Sequence, residues 1–242
     1  MPLKTPTTAM IFGAGLGTRM RPLTDNLPKP MVKVYGKPII EYSLDNLRDF
    51  GIKKVIVNTH YMAKALTDYL KTYKGLEIVT VYEKILLETG GGLVNALPYL
   101  GKDPFFVING DIIWIDGKEK SLKQLVDNWE DKRTKASLLL QPIKKAVGYH
   151  GGGDFFISDY SEVIVTDATE KPYVFTGIQI LDPDLLSGKN IEPFSIVKTY
   201  KERVKKDGAL DGIYGVEHKN TWLHVGTPEA ISEAEKVLSV KG

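Results

Sequence analysis

Three glycines, Gly13, Gly15 and Gly17, are followed within a short span by Arg19, Arg21 and Lys29. Glycine lets backbone N–H groups approach an anion closely, and clustered cations neutralise it. The span opens on an apolar run, Ala9 to Phe12, so it reads as a strand, a glycine loop and a set of cations. That order suits a triphosphate. Two familiar loops of this kind fail on spacing. Thr18 stands where a dinucleotide fingerprint needs its third glycine, and no Gly-Lys-Ser/Thr run follows as in a Walker-type loop. Thr18, Pro28 and Pro30, close to Arg19 and Lys29, argue against merely solvated loop charges.

Other residues complete a candidate site. Asp111 follows an apolar run through Asn109 and Gly110. A carboxylate at a strand end is often a turn former. Facing a triphosphate loop, it reads as a Mg²⁺ ligand, because Mg²⁺ takes one or two carboxylates plus phosphate oxygens. The run Glu88-Thr89-Gly90-Gly91-Gly92 offers consecutive backbone amides at a helix start, suited to close approach of a flat base or a ribose. Gly153-Asp154-Phe155 and Glu170-Lys171-Pro172 are weaker signals that a surface turn explains equally well.

The elements that must position these residues alternate in type. Strands are predicted at 9–12, 54–58, 76–82, 104–109 and 136–140, and helices at 38–50, 63–73, 92–100 and 122–131. Gly51 stops the first helix. Such alternation predicts an α/β fold with a mostly parallel sheet covered on both faces. Ligands of such sheets sit beyond the carboxyl ends of the strands, which selects the loops at 13–29, 83–92 and 109–111. After Gln141 the pattern is more mixed: a turn-rich stretch at 148–153, strands near Phe155, Val163, 175–181 and 212–216, and helices at 193–206 and 229–238. We expect one domain over 1–242, with a nucleotide half at about 8–140 and an acceptor half at about 141–242.

Bulk composition narrows the class. The net charge of +2 lacks the basic excess of a general nucleic-acid binder. Zero cysteines exclude disulfides, thiolate metal sites and a cysteine nucleophile, and suit a reducing compartment. No apolar run approaches the roughly 20 residues of a membrane span, and the first residues have no apolar signal-peptide core. The expectation is a cytoplasmic protein with no membrane or nucleic-acid partner. Nothing in the sequence fixes an oligomeric state.

Gly13, Gly15, Gly17, Thr18, Arg19, the run Arg21-Pro22-Leu23-Thr24 and Pro28-Lys29-Pro30 together resemble the signature of sugar-1-phosphate nucleotidyltransferases. Asn109-Gly110-Asp111 and a late run from Trp222 to Pro228 stand in the order that family leads one to expect, so the resemblance spans nearly the whole chain. Within the family, Glu88 to Gly92, Gly153 to Phe155 and the stretch 175–183 look most like N-acetylmuramate-1-phosphate uridylyltransferases of peptidoglycan recycling. The resemblance implies a three-layer Rossmann-like fold with a mostly parallel mixed central sheet. It implies that a sugar 1-phosphate attacks the α-phosphorus of a nucleoside triphosphate, UTP being favoured, and pyrophosphate leaves. Ala14, Gly15, Gly17, Thr18 and Arg19 would wrap the triphosphate, and Lys29 would hold the α-phosphate and the incoming phosphate. Glu83, Thr89 and Gly90 would line the base pocket, and Asn109, Asp154 and Glu170 the acceptor sugar.

Asp111 would hold Mg²⁺. The resemblance implies a second metal carboxylate in the late motif, where this chain has His224. Imidazole suits softer ions, so His224 is either a ligand to a Mn²⁺-like ion, a donor acting through water, or a neutral space-filler. Alternative substrate pairs are GTP or CTP with mannose or heptose 1-phosphate or phosphocholine. A non-catalytic nucleotide-sugar sensor is a different class of reading, supported by His224 alone. A glycosyltransferase of similar fold is disfavoured, because Asn109-Gly110-Asp111 supplies one carboxylate where an Asp-x-Asp pair is usual.

Overall fold

Alternate residues of the early apolar runs face opposite ways, and that period of two builds the molecule. The computed structural model describes residues 4–130 and 133–241. Its strands in chain order are β1 (Thr8–Phe12), β2 (Lys33–Val34), β3 (Lys37–Pro38), β4 (Lys54–Thr59), β5 (Glu77–Tyr82), β6 (Phe105–Ile108) and β7 (Ile112–Ile115). They continue as β8 (Ala136–Pro142), β9 (Phe156–Ile157), β10 (Glu162–Ile164), β11 (Tyr173–Leu181), β12 (Ala209–Glu217) and β13 (Thr221–His224). The helices are α1 (Ile39–Phe50), α2 (Ala63–Leu70), α3 (Glu88–Leu100), α4 (Ser121–Asp127), α5 (Ile196–Lys201) and α6 (Pro228–Lys241).

Nine strands form one sheet in the order β5-β4-β1-β6-β11-β8-β12-β10-β9. The strands β5, β4, β1 and β6 are parallel, and β12 is parallel to β8. The strand β11 lies antiparallel between β6 and β8, and β10 antiparallel between β12 and β9. All strands of this sheet but β11 and β10 therefore point one way, the mostly parallel sheet that the alternation predicts and mixed as the resemblance implies.

Ile11, Val55, Val57, Phe106 and Ile108 face one side and pack with Ile40, Leu44 and Leu47 of α1, Leu66 and Leu70 of α2, and Leu122 and Leu125 of α4. Their neighbours Met10, Ile56, Phe105 and Val107 face the other side, against Leu93, Val94 and Leu100 of α3 and Ile196 and Tyr200 of α5. The result is three layers. Each such fully buried large side chain contributes roughly 1.5–3 kcal/mol. A third cluster joins Met20, Val32, Val34 and Ile39 to Ile113, Leu223, Val225, Ile231 and Leu238. It fixes the cation-bearing loop against the β7–β13 ribbon and α6.

Element bounds differ from expectation where packing overrides local preference. The helix α1 does stop at Gly51, whose φ of 102° provides a left-handed cap. However, α3 begins at Glu88 rather than at 92, so Gly90, Gly91 and Gly92 lie inside a helix and are buried. Glycine costs about 1 kcal/mol in a helix, and here close packing requires it. A Cβ on Gly90 would lie 2.1 Å from the Phe194 ring, and one on Gly91 2.0 Å from the Glu192 carbonyl oxygen. The helix expected at 193–206 shrinks to α5, and at its N-terminal side the Phe194 backbone pairs with Leu87, Gly90 and Gly91 instead. The helix expected at 122–131 is α4, and position 131 lies outside the described residues.

Candidate active site

The site forms where β1 and β6, adjacent and parallel, release the chain. Gly13 and Gly110 follow them. A Cβ on Gly110 would fall 1.9 Å from the Phe12 carbonyl oxygen, so only glycine allows the two exits to touch. The Gly13 amide donates to Asn58 Oδ1 at 2.8 Å, and Asn58 Nδ2 donates to Glu83 Oε1 at 2.7 Å. Glu83 Oε2 accepts the Leu87 amide at 3.0 Å, and Glu83 is 1% exposed. Glu83, expected in a base pocket, thus has both oxygens engaged beneath the glycine loop and anchors its root.

Farther along the loop, Gly17 has φ 67°, and its carbonyl accepts Thr24 Oγ1 at 2.7 Å and the Met20 amide at 2.9 Å. This turn leaves Thr18 and Arg19 exposed while Met20 anchors in the third core cluster. Lys29 opens a short 3₁₀ turn flanked by buried Pro28 and Pro30.

The loop brings its cations to Asp111. Lys29 Nζ lies 2.7 Å from Asp111 Oδ2, and Arg19 Nη2 lies 3.9 Å from the same oxygen. From the other side His224 Nε2 stands at 3.8 Å. Burial pushes the Asp111 carboxyl up, but Lys29, His224 and Arg19 together hold it below the ordinary carboxylate value. It is a carboxylate. His224 Nδ1 lies 3.1 Å from the Gly148 carbonyl, which only accepts, so Nδ1 carries a proton.

Two cavities meet at this carboxylate. One, of about 190 Å³, is lined by Gly13, Gly15, Lys29 and Thr89 together with Asn109 and Asp111. The other, of about 440 Å³, shares Asn109 and Asp111 and adds Arg19, Tyr149, Asp154 and His224 among others. Cavities of about 470 and 620 Å³ elsewhere contain none of the residues selected from the sequence. In the shared cleft Asp154 Oδ2 accepts the Phe175 amide at 2.8 Å. Desolvation against that strand pushes its carboxyl up, while Phe175, Lys171 and Lys201 pull the other way.

The structure thus gathers Gly15, Arg19, Lys29, Thr89, Asn109, Asp111, Asp154 and His224 around one junction. Ala14, Gly17 and Thr18 belong to the loop but line neither cavity. Gly90 is not in the cleft either: its amide donates to the Phe194 carbonyl at 2.8 Å under the Phe194 ring. Glu170 is exposed and lines neither cavity.

Several contributors escape sequence reasoning. Gly177, at φ 78°, seats Asn109: a Cβ there would lie 2.5 Å from the Asn109 side chain, and the Asn109 amide donates to the Gly177 carbonyl at 2.8 Å. Asn58 is a polar residue closing an apolar strand, a signal that was available. Among the described residues no group of three or more His, Cys, Asp or Glu gathers that could hold a metal. Asp111 and His224 are a two-donor pair, which fits a divalent ion completed by phosphate oxygens and water rather than a protein-caged one.

A family model described as Nucleotidyl transferase matches residues 8–240. The chain belongs to the nucleotidyl transferase family. Its relatives include the N-acetylmuramate alpha-1-phosphate uridylyltransferase of Caulobacter vibrioides, 38% identical with 98% of each chain covered. The protein of that name from Neisseria meningitidis serogroup B is 30% identical over 94% of this nucleotidyltransferase and 96% of its own length. Among solved structures, HddC from Yersinia pseudotuberculosis complexed with GMP-PN superposes with a TM-score of 0.76 at 22% identity, covering 96% of this chain and 99% of that one. That likeness carries the fold. No helix among the described residues of this nucleotidyltransferase is long and apolar enough to cross a membrane.

Proposed function

We propose that this nucleotidyltransferase transfers UMP from UTP to N-acetylmuramate 1-phosphate, releasing pyrophosphate. The observation that carries the reading is the junction itself: Lys29 and Arg19 meet Asp111 where a cavity on the glycine-loop side joins a cavity on the acceptor side. An oxygen of the sugar phosphate attacks the α-phosphorus from the acceptor side. The bond from that phosphorus to the bridging oxygen breaks, and pyrophosphate departs toward the glycine loop.

Positioning and charge stabilisation carry such a reaction. Lys29, half-buried between two prolines, holds the phosphates whose negative charge must approach one another. Arg19, with its guanidinium in the cleft mouth, stabilises the departing pyrophosphate. The backbone around Gly15 faces the triphosphate, and Thr89 stands at the edge nearest the base. Asn109 and Asp154 orient hydroxyls of the acceptor sugar. A divalent ion, Mg²⁺ or Mn²⁺, held by Asp111 and His224 would neutralise phosphate charge.

The uridylyltransferase relatives support the substrate pair. The absence of cysteine supports a reducing, cytoplasmic setting, where the product would serve peptidoglycan recycling. A panel of UTP, CTP and GTP against N-acetylmuramate, mannose and heptose 1-phosphates, read by pyrophosphate release, tests the pair. UTP with N-acetylmuramate 1-phosphate is expected to give the highest kcat/KM. Another pair ranking first by tenfold or more contradicts the assignment.

A further inference from the structure

We propose that His224 is a direct ligand through Nε2 and makes this site prefer Mn²⁺-like ions over Mg²⁺. The proposal rests on the nucleotidyl-transfer reading and concerns which ion serves it. His224 closes β13, and its side chain and that of Asp111 are each 19% exposed, so both face a restricted space. The Gly148 carbonyl, 3.1 Å from Nδ1, accepts the Nδ1–H hydrogen bond, so the lone pair of the neutral ring lies at Nε2 on the Asp111 side. A histidine ligand typically donates its other N–H to such an acceptor, which fixes the tautomer and the ring angle.

The acceptor is itself held. The Gly148 amide donates to Glu233 Oε2 of α6 at 3.2 Å, and His150 Nε2 lies 3.1 Å from Glu233 Oε1. In front of Nε2 the chain keeps room. A Cβ on Gly226 would lie 2.6 Å from His224 Cε1, 2.7 Å from Nε2 and 3.5 Å from Asp111 Oδ2. Nor is the imidazole simply paired with the carboxylate: 3.8 Å exceeds the 2.7–2.9 Å or so of a charge-assisted hydrogen bond. A directed nitrogen and the carboxylate oxygen that Lys29 Nζ also approaches, at 2.7 Å, thus share one small space. Mg²⁺ prefers oxygen donors throughout, whereas a nitrogen donor is increasingly favoured along the first-row series that starts at Mn²⁺.

Pulsed EPR of the protein loaded with Mn²⁺ and α,β-methylene-UTP reads nitrogen coupling to the ion, and Mg²⁺ titration reads the preference. In the unmutated protein a nitrogen coupling is expected that changes on ¹⁵N-histidine labelling, which needs no substitution. In His224→Asp the coupling is expected to vanish, and the Mg²⁺ needed to displace half the Mn²⁺ to fall about tenfold. Mn²⁺ that Asp111→Asn releases, yet with no nitrogen coupling and equal Mg²⁺ competition in both proteins, overturns the proposal and leaves the transfer reading standing. Mn²⁺ binding indifferent to Asp111→Asn overturns both this proposal and the metal placement beneath it.

Discussion

Glycines in the cleft divide into those that make room for protein and those that leave room for something else. Gly15 has no heavy atom within 4 Å of where a Cβ would sit, and its φ is not in the left-handed region. Gly15→Ala is therefore expected to leave the thermal midpoint unchanged while raising the KM for UTP severalfold, since the added methyl stands where triphosphate approaches. A lowered midpoint with unaltered KM would place the role of Gly15 in folding. That Lys29, Asp111 and Asn109 share a cleft is legible in the sequence, because all three stand in loops that leave the carboxyl ends of predicted strands. Gly177 and Gly226 are not legible, because their purpose depends on Asn109 and His224 lying opposite, which only the folded chain reveals. Glu83 carries a role that the sequence does not show either: Asn58 and the Leu87 amide use both its oxygens inside the protein.

At the scale of elements, α3 shows how a glycine run changes meaning with context. Read locally, three glycines suggest an irregular anion-binding turn; packed against the 192–194 segment, they form a notch in a helix. The Phe194 carbonyl accepts both the Gly90 and Gly91 amides at 2.8 and 3.3 Å, and the Ile196 amide donates to Thr89 Oγ1 at 2.9 Å. The segment leading into α5 thereby ties Thr89, a cleft residue, to the second half of the chain. Gly91→Ala forces a methyl against the backbone of Glu192, and overpacking of this kind costs about 1–3 kcal/mol. Calorimetry is expected to show a drop of several degrees in Tm. An unchanged Tm would mean the 192–194 segment moves aside without cost, and the notch would then have no structural role.

The whole molecule depends on long-range pairings that periodicity does not encode. The presence and alternation of strands and helices were readable, as was the mixed character of the second half. The insertion of β11 between β6 and β8 was not, since β11 pairs with β6 from about 70 residues farther along the chain. That insertion sets Phe175, Thr176 and Gly177 beside Asn109 and closes the acceptor side of the cleft. Away from the cleft, His218 is fully buried, with Nδ1 2.6 Å from Gln141 Oε1 and Nε2 2.9 Å from Ser121 Oγ. Burial lowers its pKa from 6.5 to about 4. Because the folded value lies below the unfolded one, its contribution is complete above pH 6.5 and is lost as pH falls toward about 4. Urea midpoints are expected to decline across that window and to decline less in His218→Gln. An identical decline in the variant would assign the acid sensitivity to other groups.

The central claim concerns the junction where Lys29 and Asp111 meet between the two cavities. Its most direct measurement is ³¹P NMR of UTP and N-acetylmuramate 1-phosphate with the purified enzyme and divalent ion, comparing the unmutated protein with Lys29→Ala. One nucleotide sugar and one pyrophosphate are expected for each UTP consumed, with the rate falling about 10²–10³-fold in Lys29→Ala. UTP cleaved without formation of a nucleotide sugar, or transfer undiminished in Lys29→Ala, would contradict it.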